Sequence, residues 1–597
     1  MDEIEVPVLI VGGGGAGLTA SMLLSQLGVE SLLVNARPST SDLPKAHVLN
    51  QRAMEILGDV GVAEDIYARG TPLEHMRRTA WYAGFAGEEA GRGRKIDEME
   101  AWGGGYTNPD WILASPRPST NLPQIRLEPI LREQAEKQAP GRVRFSHEVV
   151  SLVQDEHGVR TTVRDLDADR EYCVRSRFLL ACDGGRTIGP ALDVEMVGPR
   201  DVAQEISIHM TADLTPWARD PEVLIRWIWV TDPGALAVLV PMGPERWGPD
   251  SEEWVFHLNY PSDDPRAVDD GAIEADMRRA LGIGDHPVKI HKITRWSLEG
   301  VVASHLQVGR VFLLGDAAHR HPPTGGLGLN SAIQDAHNLC WKVAAVLHGQ
   351  ADESLLESYG PERKPVVQQN VNCSVESALN QMGVVQSLGI RPDADEAANW
   401  SALERLWSDD PDDEAFRRMA RRALATQSME FNEHNVEYGY DHAVSGAAIV
   451  PEADTRPASP DPRRLYRPTT LPGHALPHAW VEGDDRRRRS TLDLVKPGRF
   501  LLIVGEDAHE WAEAGRAIAE RSDLALDVVS IGHSDGEVLD PRSSWTRQRE
   551  VSAAGAILVR PDRFVAWRSI GESTTPEQDL EGALSAVLRR DVSENVQ

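Results

Sequence analysis

The residues best placed to do chemistry stand in two glycine-rich stretches far apart in the chain. Near the N-terminus, Val8-Leu-Ile-Val-Gly-Gly-Gly-Gly-Ala-Gly-Leu18 sets Gly12, Gly14, Gly15 and Gly17 directly behind an apolar run. Glycines at this spacing, entered from a strand and opening a helix, let backbone amides and a helix N-terminus approach a pyrophosphate. Much later, Val311-Phe-Leu-Leu-Gly-Asp-Ala-Ala-His-Arg-His-Pro-Pro-Thr-Gly-Gly-Leu-Gly-Leu-Asn330 repeats that logic: an apolar strand, Gly315-Asp316, then a Pro/Gly turn opening a helix at Leu329. One glycine fingerprint is a weak signal, but two such segments together point to a bound dinucleotide. His319 and His321 invite a metal reading, yet no further ligand stands at useful spacing, so they read as loop histidines and no metal is expected.

These residues need strands and helices to hold them. The first strand, turn and helix run to about Leu27. A second strand, Ser31 to Val34, ends at Asn35, where such a fold places the acceptor for the cofactor ribose. A helix follows from about Leu49 to Val60. Residues 76 to 118, rich in Gly, Trp and Pro, read as loops covering a pocket, and strands resume at Val143 to Val153 and Arg175 to Ala181. From about Val202 to Trp296 apolar and polar residues alternate in short runs, the pattern of an antiparallel sheet. An acidic, helical and then Pro-rich stretch leads to a last unit, with strands at Arg499 to Val504, Ala525 to Ile531 and Gly555 to Val559 and a helix from Ala508 to Arg521.

At 597 residues with a net charge of −30, the chain is a large acidic protein, which argues against nucleic acid and anionic membranes as partners. The one basic run, Arg486 to Arg489, lies beside Asp484 and Asp485 and reads as a solvated loop. The chain begins acidic and enters a strand at once, and no apolar run is long enough to span a bilayer, so a cytoplasmic location is expected. Cys173, Cys182, Cys340 and Cys373 form no CxxC and read as small buried apolar residues.

A third motif, Leu179-Leu-Ala-Cys-Asp183-Gly184-Gly185-Arg186-Thr187, closes a strand between the other two. With the order and separation of all three, the chain resembles the class A flavoprotein aromatic hydroxylases of the p-hydroxybenzoate hydroxylase fold. Pro44-Lys-Ala-His-Val-Leu-Asn-Gln-Arg-Ala-Met-Glu55, Pro123-Gln-Ile-Arg-Leu-Glu-Pro129 and Ser490-Thr-Leu-Asp-Leu494 are similar to its phenol hydroxylase and 2,4-dichlorophenol 6-monooxygenase branch. The resemblance implies an α/β chain: a Rossmann-like FAD-binding domain of glutathione reductase type, an antiparallel-sheet substrate domain and a C-terminal thioredoxin-like domain. The expected limits are 1–75 with 119–190 and 297–390 for FAD, 76–118 with 191–296 for substrate, 391–475 for a connection, and 476–597 for the last domain. That domain lacks cysteine, so it is expected to pack or to make subunit contacts rather than to exchange disulfides.

The same resemblance puts Asn35, Lys45, Arg52, Gln124 and Asp183 against the cofactor, Asp316 on its ribityl hydroxyls, and the turn from Pro322 through Pro323 to Gly328 beside the flavin ring. Leu329 and Asn330 then open a helix whose amides point at the pyrimidine edge. Asn35 stands where most relatives carry glutamate, and Pro190 where an arginine is usual. Taken without the flanking motifs, Arg52 reads as a surface cation and Gln124 as a loop amide. His47 and Pro323 are the catalytic candidates, His47 as proton acceptor or as a backbone-bonded turn histidine. In p-hydroxybenzoate hydroxylase a strand pair over the flavin holds the substrate carboxylate with a serine and an arginine. Equating Val240-Pro241 with the end of that pair puts Trp227 and Trp229 at those positions, with Ala237 on the partner strand. Two indoles cannot neutralise a carboxylate, so the substrate would be neutral and apolar, unless both rings simply pack the sheet. The implied reaction is hydroxylation of a phenol-like or hydroxypyridine-like ring with FAD, NAD(P)H and O2 through a flavin C4a-hydroperoxide, by a homo-oligomer acting on a small aromatic molecule. A flavin dehydrogenase or reductase without oxygen insertion is the second reading.

Overall fold

The computed structural model describes residues 2–87, 91–201, 204–231, 235–260, 264–391, 393–483, 485–522 and 524–592. Val202 and Asp484, named above, lie outside them. The cofactor side is built on a parallel sheet ordered 311–313, 170–181, 2–11, 31–35 and 143–145. Val8 to Ile10 in its central strand are fully buried, as a parallel strand covered on both faces requires. Helix Gly15–Gln26 is buried from Gly15 through Leu24 and helix Leu327–Leu347 is buried over most of its length, so both motif helices are apolar on nearly every side and lie inside the domain. Asn50 caps the helix Gln51–Asp59, its side chain accepting from Ala53 N at 2.9 Å.

A second sheet, ordered 288–297, 204–212, 253–260, 235–243, 223–230, 78–83 and 94–100, faces the first. Residues 76–118 are therefore not mainly loops: strands Arg78–Ala83 and Arg94–Glu100 extend this sheet, and Pro109–Ala114 is helical. Its alternation had been masked by Trp and Gly; Trp81 and Trp102 pack against Phe431 and, with it, join the apolar cluster of the stretch 396–431. The expected solvated loop at Arg486 to Arg489 also ends differently, in an edge strand, Arg488–Ser490, that pairs with Trp480–Glu482.

The last unit has strand order 488–490, 480–482, 538–539, 526–532, 500–504, 556–559 and 565–569, in which 538–539, 526–532 and 500–504 run parallel and the other neighbours antiparallel, flanked by helices His509–Ser522 and Pro576–Leu588. Its apolar core is continuous with that of the cofactor sheet: Phe500 meets Trp341 edge-on at 5.8 Å. Beneath that contact, Arg560 pairs with Glu362 at 2.8 Å and Asp562 at 2.5 Å, and Lys342 pairs with Glu362 at 2.8 Å, all fully or almost fully buried. His442 joins Glu362 and Asp562 in a group of ligand type, but Lys342 and Arg560 already supply its positive charge.

Candidate active site

The two glycine motifs meet. Gly12 has φ +115, and a Cβ there would stand 2.1 Å from Cys182 O; a Cβ on Gly17 would stand 1.9 Å from Gly12 O. The loop can therefore close only with glycine at both places. Gly15 touches the distant segment, since its Cβ would lie 2.5 Å from Leu329 Cδ1. Helix Gly15–Gln26 starts with no side-chain cap and no acid in its first turn, and so does helix Leu327–Leu347 behind the left-handed Gly326. Two uncapped helix N-termini thus open on one cleft of about 870 Å³. Such ends attract phosphate and the electron-rich edge of a ring.

Among the expected cofactor residues, Gly12, Gly14, Gly15 and Asn35 line this cleft, as do Lys45, Gln124 and Asp183, and so do Asp316, Pro323, Gly328 and Leu329. Asn35 Oδ1 accepts from Gly13 N at 3.0 Å, tying the second strand to the glycine loop. Lys45 is held in the left-handed region at φ 44. Asp183 accepts from Gly185 N at 3.1 Å, Thr187 N at 2.7 Å and Ile188 N at 2.9 Å, so it shapes its own loop. Asp316 is exposed to the cleft and has no side-chain partner among the described residues. Gln124 donates to the buried Glu128, which also receives Ser41 N at 2.7 Å and stands near Gly14. Backbone donors without side-chain caps, hydroxyl-accepting Asn35 and Asp316, and a glycine floor fit an FAD laid across both helix ends.

Several expected positions lie elsewhere. Arg52 is buried away from the cleft, paired with Glu55 at 2.6 Å and stacked over Tyr438 at 4.3 Å; it braces the helix rather than the cofactor. Asn330 does not line the cleft either: its amide accepts from Asn50 N at 3.0 Å and donates to Val48 O at 3.0 Å and Gly326 O at 2.7 Å. It clamps the His47 segment to the turn. Trp227 and Trp229 share a face of their strand, as alternation requires, but neither lines the cleft. Trp227 donates to Thr79 Oγ1 at 2.9 Å and meets Phe431 edge-on, and Trp229 is fully buried. The wall residue of that strand is Ile225. Ala237 lies opposite Ile228 and therefore on the other face.

His47 lines the cleft, and its Nδ1 lies 2.6 Å from Asn121 Oδ1, while Asn121 Nδ2 donates to Thr71 Oγ1 at 2.7 Å. The amide orientation assigns the proton to Nδ1 and leaves Nε2 as acceptor. Burial, reinforced by nearby His257 and opposed by the Asn121 bond, pushes His47 down to about 4. His319 and His321 are not simple loop histidines. His319 is fully buried 2.9 Å from Asp335, and His321 lines the cleft.

Other wall groups escaped the sequence reading. His209 and Ser207 project from one strand and His257 and Val255 from its neighbour. His209 Nε2 lies 2.6 Å from Glu253, itself paired with Arg126 at 2.8 Å; burial raises the Glu253 carboxyl, but the hydrogen bonds from His209 and Arg126 hold it at about 2. Ser207 Oγ receives Trp296 Nε1 at 3.0 Å and lies 2.9 Å from His257 Nδ1. Glu430, beside Phe431 at the far wall, receives Gln381 at 2.8 Å, and burial lifts it to about 7 against that bond. The signal for the histidines was their alternate spacing within the strands; Glu430 sat in a stretch read only as a connection.

Residues 5–374 match the FAD binding domain family, and residues 469–590 match the C-terminal domain of aromatic-ring hydroxylases. The chain is 36% identical to a phenol 2-monooxygenase of Pseudomonas sp. (strain EST1001), covering 98% of this chain and 93% of that one. It is also 36% identical to a 2,4-dichlorophenol 6-monooxygenase of Delftia acidovorans, covering 98% of each. Among solved structures it is similar to the flavin-dependent monooxygenase PieE in complex with FAD and substrate, with TM-score 0.90 and 37% identity over 99% of this chain and 100% of that one.

Proposed function

This chain belongs to the FAD-dependent aromatic-ring hydroxylases, and we propose that the ring it hydroxylates is neutral, phenol-like or hydroxypyridine-like, and lies between the sheet wall and the Pro322–Gly328 turn. It is a monooxygenase that uses NAD(P)H and O2, not a dehydrogenase or reductase. The observation that carries the substrate class is the charge on the wall. Lys292 is committed to Asp42 and Arg295 to Asp270, while Arg126 and His209 share Glu253. A ring bearing a carboxylate would need an uncommitted cation there. Ile225, Val255, Trp102 and Phe431 supply apolar surface instead.

FAD, reduced by NAD(P)H, supplies the oxygen chemistry. The chain's own part is to exclude water, orient the ring and manage its hydroxyl proton. His47 Nε2, free to accept, suits holding the substrate hydroxyl; a site near 4 orients that group more than it ionises it. Pro323 stiffens the turn beside the ring. We assign residues 1–75, 119–190 and 297–390 to the cofactor domain, 76–118 and 191–296 to the substrate domain, 391–475 to the connection and 476–597 to a thioredoxin-like domain. The acidic charge favours a small-molecule enzyme free of nucleic acid and of membrane, and no helix among the described residues is long and apolar enough to cross a bilayer. We place it in the cytoplasm as a homo-oligomer.

The test is NAD(P)H oxidation with a panel of neutral phenols and hydroxypyridines beside their carboxylated counterparts, with labelled O2 traced into product. Coupled turnover is expected for neutral rings. Preferential hydroxylation of the carboxylated ones would refute the substrate class.

A further inference from the structure

We propose that His321, His319 and Asp335 form a proton-accepting relay, anchored on Arg363, that answers negative charge arriving in the cofactor cleft. His321 lines the cleft just before the Pro322-Pro323 turn. Its Nε2 lies 2.9 Å from His319 Nδ1, and His319 Nε2 lies 2.9 Å from Asp335 Oδ2. Asp335 Oδ1 receives Arg363 Nε at 2.8 Å, and its Oδ2 receives Gly315 N at 3.1 Å. His319, Asp335 and Arg363 are fully buried.

The chain has one consistent direction. Burial alone would raise the Asp335 carboxyl, but the Arg363 guanidinium and the hydrogen bonds from His319 and Gly315 overcome it and keep it ionised, so it only accepts. His319 must then carry its proton on Nε2 and offer Nδ1 to His321, whose Nε2 carries the next proton. His321 Nδ1 is left as a lone pair, buried and with no hydrogen-bond partner. Burial holds His321 well below the usual histidine range, so it carries no second proton at rest.

The groups around it do not fill that role. Tyr359, from the helix that carries Arg363, donates to Leu313 O at 2.7 Å and is kept neutral by burial. Burial also keeps the Cys182 thiol, at the end of strand 170–181, protonated. Arg320 is held by Glu299 at 2.8 Å. Because Arg363 cannot release its proton, the chain ends there, and it is a store rather than a channel. When NAD(P)H delivers two electrons and one proton to the cofactor, His321 Nδ1 takes a second proton from solvent and passes its Nε2 proton to His319 Nδ1. The imidazolium then rests against Asp335, no other atom is exchanged, and the proton returns by the same path on reoxidation.

The proposal rests on FAD occupying the cleft, and spectroelectrochemical titration of the holoprotein separates the two ideas. Each pH unit is a tenfold change in proton activity, worth ~30 mV per coupled proton for a two-electron couple. Above neutrality the wild-type flavin is expected to shift ~60 mV per pH unit, and His321→Gln, which keeps a donor to His319 but no base, ~30 mV. Asp335→Asn should behave like His321→Gln; it also strips Arg363 of its partner, so His321→Gln carries the test if that variant fails to fold. A wild-type slope of ~30 mV throughout, or equal slopes in wild type and His321→Gln, overturns the relay. A wild-type protein that binds no flavin overturns the reading of the cleft instead, and shows before any titration.

Discussion

Replacing Asp316 by alanine should separate cofactor binding from folding, because the two motif aspartates do different work. Asp316 stands exposed on the cleft without a side-chain partner among the described residues. Asp183 accepts from three backbone N–H groups of its own loop. Asp316→Ala therefore leaves the apoprotein close to wild-type stability, and the loss falls on the ligand. A charge-assisted hydrogen bond to a ribityl hydroxyl contributes about 1.5–3 kcal/mol, which weakens FAD binding by about 10- to 100-fold. Asp183→Ala removes three hydrogen bonds at about 1 kcal/mol each, so roughly 3 kcal/mol of stability should go with it even without cofactor.

The assay is FAD titration of apoprotein by quenching of flavin fluorescence, paired with urea unfolding of the same apoproteins. The expected pattern is a weakened Kd with an unchanged unfolding midpoint for Asp316→Ala, and a lowered midpoint for Asp183→Ala. Wild-type affinity in Asp316→Ala, or a loss of stability equal to that of Asp183→Ala, would show that Asp316 does not face the cofactor as argued.

Arg560→Met leaves Glu362 with Lys342 but the buried Asp562 without Arg560, so it should cost ~3–5 kcal/mol and loosen the C-terminal unit, seen as a lower urea midpoint; an unchanged midpoint would deny that this buried cluster joins the unit to the cofactor domain. Glu430 is lifted by burial to about 7, so the folded state holds its proton more tightly than the unfolded one, and stability present below the ordinary value of 4.5 is lost as pH rises towards about 7. Glu430→Gln should flatten the fall in melting temperature across that window, and parallel curves for variant and wild type would count against it. His47→Gln keeps an acceptor and His47→Ala does not, so coupling of NAD(P)H use to product should survive the first and fall in the second, with the same pH profile. Equal losses in both, with a rate that follows substrate ionisation, would instead mark His47 as the base.

The cofactor half was legible because its constraints are local. Gly12 and Gly17 are fixed by backbone atoms a few ångströms away, and such close approach leaves glycine as its trace. The substrate half was not. Alternation placed Trp227 and Trp229 on one face correctly, but how far along a strand a cleft extends depends on the offset of its neighbours, and here the wall ends at Ile225. Ala237 failed for a related reason: residues directly opposite in an antiparallel pair share a face, so the partners of Trp227 and Trp229 are Val238 and Leu236. Arg52 had Glu55 one turn ahead as a warning, yet Tyr438, which fixes its direction, lies hundreds of residues away in a stretch without a motif.

An acidic chain of net charge −30 that binds an anionic dinucleotide poses a question of sign, and the answer is local. On the cofactor side the positive groups are left uncommitted: two uncapped helix N-termini, with Lys45 and Arg186 on the lining and neither joined to a carboxylate among the described residues. On the sheet side the cations are already neutralised, Lys292 by Asp42 and Arg295 by Asp270. A desolvated anion is stabilised only where an unpaired positive group meets it, so one cleft sorts its two occupants. The phosphates are drawn to the helix ends, and the wall is left with apolar surface and imidazoles that reward a neutral ring.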